Sequence, residues 1–124
     1  MNQEHLIAEI LTAGEDDWVY LAAIVRRVDL AMNLSGEELL RASLEVIEKL
    51  MAAGWMTPGD VQPTGFISWP ISGTEALARI ERELRNLGRE PKLGEICWFE
   101  NTPEGDAMAR KSGLIRDSIG KSRE

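Results

Sequence analysis

Residues 35–54, SGEELLRASLEVIEKLMAAG, decide how this chain reads. Ser35 followed three residues later by Glu38 is the pattern of a capping box, in which each side chain satisfies the other residue's free amide. Leu40, Leu44, Ile47 and Met51, joined by Leu39, Val46 and Leu50, recur at helical spacing and predict a broad buried face. Gly54 closes the helix. Its exposed side carries Glu37, Glu38, Glu45 and Glu48 against only Arg41 and Lys49, so four acids and two bases leave a charge of −2. Affinity for a phosphate backbone rests largely on Lys and Arg, and this helix has the opposite sign.

Toward the N-terminus, Leu6, Ile7, Ile10 and Leu11 predict a helix over 3–13 with Gly14 as its C′ residue. A second helix is expected after Asp16 or Asp17, with Trp18, Leu21, Ala22, Val25 and Val28 at helical spacing and Asn33 as its end. Toward the C-terminus the period changes. WMTPGDV and GFISW are short, rich in β formers and bounded by Pro58-Gly59 and Pro63, and they predict strands or an extended excursion. Gly54, Gly59 and Gly65 read as turn residues. Ser72 and Glu75 form a second capping box, opening a helix with Leu77, Ile80, Leu84 and Leu87 on one face. Gly88 and Pro91 stop it. GEICWFEN predicts a strand with Cys97 and Phe99 on one side and Ile96 and Trp98 on the other. Thr102-Pro103 then starts a last short helix, with Thr as N-cap and Pro at N1. The fold class expected is mainly α with a small β element, an α+β chain.

At 124 residues the chain is long enough for one domain with a core of its own. That domain is expected over 1–112, with 113–124 as a loosely ordered basic tail. The net charge of −7 repels nucleic acid and anionic membranes and favours basic partners. The acidic N-terminus lacks the basic region of a signal peptide, and no apolar run approaches the roughly 18 residues of a membrane span. A single cysteine excludes an internal disulfide framework and fits a reducing cytoplasm.

Three helices, a glycine, two strands and a further helix follow the order of a winged helix. VIEKLMAAGWM resembles the end of a winged-helix third helix and its turn into the first wing strand. ENTPEGDAMAR resembles the start of the helix that follows the wing in many bacterial regulators. The resemblance implies a three-helix core, with GEICWFEN as the wing's return strand and the helix from Ser72 to Leu87 inserted between wing strands. By size and charge the chain also resembles, as a class only, bacterial immunity proteins that neutralise a toxin. That likeness implies a basic toxin domain, such as a nuclease, as the partner.

Catalytic and metal chemistry find little support. His5 is the only histidine, one His and one Cys show no ligand spacing, and no phosphate-binding glycine loop is present. No catalytic residue, metal or cofactor is expected. Cys97 has no adjacent base or cation in sequence and reads as a structural thiol. An enzyme working through carboxylates would need a cleft with a perturbed Asp or Glu. The best functional feature is acidic: Asp16, Asp17, Glu95, Glu100 and Asp106, with Trp98 beside them, form a candidate surface for a basic protein. Trp55 and Trp69 bracket the extended segment and are the tryptophans expected at the surface as interface anchors. The alternative, a DNA-binding regulator, would rely on Arg41, Lys49, Arg82, Arg85 and Arg89. Against it, the i,i+4 pairs Glu75–Arg79 and Glu81–Arg85 predict a salt-bridged solvent face on the fourth helix.

Overall fold

A computed structural model describes residues 3–121, with side chains described through Ser112. In chain order the elements are α1 (Gln3–Asp16), β1 (Val19–Tyr20), α2 (Leu21–Met32), α3 (Gly36–Ala52), β2 (Met56–Gln62), β3 (Gly65–Ser68), α4 (Gly73–Leu87), β4 (Trp98–Asn101) and α5 (Pro103–Lys121). The chain is mainly α with a small antiparallel sheet. Strand order is β1-β4-β2-β3, so the last strand in sequence lies between the first two. Phe99 marks the centre: its backbone faces Val19 on one side and Pro58 on the other.

The core forms where the helices meet this sheet. Leu6, Ile10 and Leu11 of α1, Ile24 and Val28 of α2, Val46, Ile47 and Leu50 of α3, and Ile80 of α4 are all closed to solvent together with Phe99. On α3 the buried stripe is Leu39, Ser43, Val46, Ile47 and Leu50, while Leu40, Leu44 and Met51 are only half-buried. The expected face is thus rotated slightly, and it includes a serine.

Several local expectations are corrected by tertiary contacts. Helix α1 does not stop at Ala13 but runs to Asp16. Gly14 lies inside it because a Cβ there would stand 2.2 Å from the Asn101 Oδ1 atom of β4. Asp17 and Trp18 consequently fall in the link to β1, outside the second helix, which starts at Leu21 once Val19 and Tyr20 have paired with β4. Ser35 is the N-cap of α3, yet its side chain makes no capping bond. Gly36 takes a left-handed φ of 58°, so the chain turns into α3 differently from its approach to α4. There the Ser72–Glu75 capping box is complete, and Gly88 ends the helix at φ 68°.

Pro58-Gly59 is no turn but the middle of β2, which changes partner at Gly59: that residue faces Trp98 of β4 and Ser68 of β3. A Cβ on Gly59 would meet the Ile67 carbonyl oxygen at 2.4 Å, so close strand approach is what demands glycine there. Gly54 does lie in a turn, at φ 75°, whereas Gly65 opens β3 just after the turn at Pro63-Thr64, at φ 124°. Strand β4 is shorter than expected, starting at Trp98, because Ile96 adopts a left-handed φ of 72°. Helix α5 begins as the TPEG segment predicts: Thr102 Oγ1 accepts the Gly105 amide at 3.0 Å, and Pro103 needs no amide partner. It is not short: its backbone is helical over 19 residues to Lys121, whereas the side chains of the basic stretch, Arg116 and Lys121 among them, and residues 122–124 lie outside the described residues.

Candidate functional site

The C-terminal end of α1, the link to β1, the end of β4 and the first turn of α5 converge on one hollow of about 370 Å3. Glu15, Asp16, Asp17, Trp18, Glu100, Asn101 and Asp106 line it. Trp18 is fixed from two sides. Its indole Nε1 donates to Glu100 Oε2 at 3.1 Å, and its ring stacks against Phe66 with centroids 6.3 Å apart. Its backbone amide donates to Asp17 Oδ1 at 2.8 Å. Asn101 ties the floor together, donating through Nδ2 to the Leu11 carbonyl at 2.9 Å and to Asp106 Oδ1 at 3.0 Å.

Electrostatically the hollow is unbalanced. Among the described residues, none of its five carboxylates forms an ion pair. Glu15 and Asp16 sit in the last turn of α1, which has no basic residue to offset them. A helix C-terminus carries partial negative charge and disfavours acids, so these side chains stand where folding alone would not put them. The same end of the molecule offers an aromatic ring already held in place.

Asp16, Asp17, Glu100 and Asp106 are therefore brought together as the sequence suggested. Glu95 is not. It forms a bidentate pair with Arg89, at 2.8 and 2.9 Å, and accepts the Lys92 amide at 2.7 Å. Trp69 is buried rather than exposed: its indole donates to Asp60 at 3.2 Å, and the Arg79 guanidinium stacks 3.8 Å above its ring. Trp55 is half-buried beneath α5, its carbonyl accepting the Thr102 amide at 3.0 Å. Trp98 stands edge-on to Tyr20 at 5.4 Å. The tryptophan beside the acids is Trp18, which helical periodicity had assigned to a core face. Glu15 was not singled out either, and its position next to Asp16 and Asp17 was the available signal.

Cations singled out for nucleic acid are mostly occupied by carboxylates. Arg41 and Arg85 share Glu37, Arg85 also takes Glu81 at 3.0 Å, and Lys49 donates to Gln3. On α4 the second expected pair forms but the first is replaced by Arg79–Glu83 at 2.7 Å, since Arg79 is turned over Trp69. The Arg85 hydrogen bonds, then those of Arg41, hold the Glu37 carboxyl below its ordinary range. Arg89, then the Lys92 amide, lower Glu95 to about 2. A carboxylate depressed in this way favours folding above its ordinary pKa, and that contribution is lost as pH falls toward about 2. We expect the Glu95 carboxyl 13C shift to titrate with a midpoint near 2, and with a clearly higher midpoint in Arg89→Gln, still below the ordinary 4.5 because the Lys92 amide remains. Equal midpoints in both proteins would show that the clamp does not hold in solution.

His5 is exposed beside Glu9. Cys97 is buried, and burial, then Asp60 and Glu83, push its thiol far above the usual range. Among the described residues no group of three His, Cys, Asp or Glu side chains is placed to hold a metal ion, and no helix is long and apolar enough to cross a membrane. No protein family, curated protein or solved structure matches this chain.

Proposed function

We propose that this protein is a non-enzymatic binding module that docks a basic protein through the acidic hollow around Trp18, acting as an immunity-type inhibitor of a bacterial toxin. The observation that carries the proposal is the gathering of five carboxylates, none ion-paired among the described residues, around a fixed indole. The mechanism is occlusion. Carboxylates on a preformed surface take the place of substrate phosphates in a basic active site, such as that of a nuclease, and cover it. Complementary charge speeds association, and a buried aromatic anchor slows dissociation. The inhibitor works in the cytoplasm, where a lone buried thiol stays reduced.

The test is capture of proteins from bacterial lysates on the immobilised chain at low and high salt, followed by assay of what is captured. A basic enzyme that binds at low salt, is released by high salt and loses activity in one-to-one complex is the expected result. The variant combining Asp16→Asn, Asp17→Asn, Glu100→Gln and Asp106→Asn should lose roughly a hundredfold in affinity, a few kcal/mol shared among close charge pairs. Unchanged affinity and salt dependence in that variant would sink the mechanism.

A second reading, a winged-helix DNA-binding regulator, is favoured by one observation: β4 returns between β1 and β2, the strands that flank α2 and α3, as a wing strand would. It requires Arg41, Lys49, Arg82, Arg85 and Arg89 to meet phosphates, although Arg41, Arg85 and Arg89 already hold carboxylates. A gel shift on genomic fragments that weakens steeply with salt would establish it over the inhibitor.

A further inference from the structure

A second cleft, of about 390 Å3, opens among α2, α3, α4 and the loop after α4, away from the acidic hollow. Its walls are apolar: Val25, Leu39, Leu40, Leu84 and Pro91. The volume falls within the range of sites for small organic molecules. Ser43 lies on its floor. This serine is fully buried, and its Oγ has no hydrogen-bond partner. A buried hydroxyl left unsatisfied costs free energy, and leucine or alanine at this point of the α3 stripe would carry no such cost. Pairing with a ligand requires the hydroxyl to turn toward the cleft about its one side-chain torsion.

The rim narrows the ligand class. Glu37, Arg85, Arg89 and Glu90 stand there, two acids and two bases. Arg85 is already held by Glu37 and Glu81, and Arg89 by Glu95. An anion would have to displace those bonds and meet Glu90, whose carboxylate holds no ion pair among the described residues, whereas the buried polar atom left without a partner in the cleft is a neutral hydroxyl. We infer that this cleft binds a small uncharged molecule, largely apolar, whose single hydroxyl or carbonyl group pairs with Ser43. The site is independent of the acidic surface.

The experiment is an amide-shift NMR titration of the full chain with benzyl alcohol, 2-heptanone, benzene and benzoate, repeated on Ser43→Ala. That substitution removes only the unpartnered oxygen and puts the best helix former in its place, so the fold should persist. Benzyl alcohol or 2-heptanone should shift the amides of Leu39, Ser43, Leu84 and Gly88, and Ser43→Ala should weaken that binding roughly five- to tenfold, the worth of one hydrogen bond. Benzene binding should be equal in both proteins. No shift from either polar probe, equal binding of those probes by Ser43→Ala, or tighter binding of benzoate than of benzyl alcohol would each overturn the assignment.

Discussion

Gly105→Ala should cost about 3 kcal/mol of stability, at or beyond the upper end of ordinary overpacking. A Cβ at this position would lie 2.0 Å from the Trp55 carbonyl oxygen and 2.9 Å from its carbon. Those atoms belong to the backbone and are not free to rotate away. The Trp55 carbonyl is also the acceptor of the Thr102 amide, and Thr102 Oγ1 both caps α5 and donates to the Gly54 carbonyl. A methyl group therefore pushes apart the joint on which α5 is seated, and relief by moving the helix would break the cap. Thermal unfolding should shift downward by roughly 10 °C, the drop expected of such a loss in a domain this size. Ala107, exposed two residues on in the same helix, offers the control: Ala107→Ser should change stability by no more than about 0.5 kcal/mol. A Gly105→Ala protein as stable as that control would mean that α5 does not sit this close to Trp55.

Phe99→Ala should be the most damaging truncation in the sheet, at about 3–5 kcal/mol. Phe99 is wholly closed to solvent and is the largest of the fully buried side chains. It is also the residue at which β4 faces β1 and β2 at once, so the cavity opens between two strand pairs rather than beside one. Urea unfolding at equilibrium measures the loss. Phe99→Leu, which keeps most of the buried volume, should recover more than half of it. If both variants lost equally, the cost would lie in the ring's shape and not in the volume removed.

What could be read from the chain depended on how far apart the cooperating residues stand. Helix α4 was legible end to end, because Ser72 caps with Glu75 three residues away and Gly88 needs only its own left-handed φ. The C-terminus of α1 was not, because the reason for Gly14 is Asn101 in another element. Trp69 looked exposed between turn residues, and it is buried by Asp60 from β2 and Arg79 from α4, which no local pattern announces. Four acids of the hollow were named from their places around the CWF segment and before the second helix, yet Glu95 was counted among them. Its removal depends on a clamp to Arg89 that closes across the loop after α4. The periodicity that placed Trp18 in a helix was real, but Val19 and Tyr20 gain more from pairing with β4 than from continuing a helical turn.

Because the last strand is the one in the middle, the order of synthesis bears on how the protein matures. Until Trp98 has been made, β1 and β2 have no partner in common and each presents an open edge. Unpaired edges of this kind invite pairing with other chains. The sheet closes only when Trp98–Asn101 emerges and slides between them, joining residues that contact one another across long sequence separations. Such closure is slow relative to helix formation. The nascent chain thus carries its helices early and its cohesion late, and a chain cut before Trp98 is prone to aggregate rather than to form a smaller folded protein.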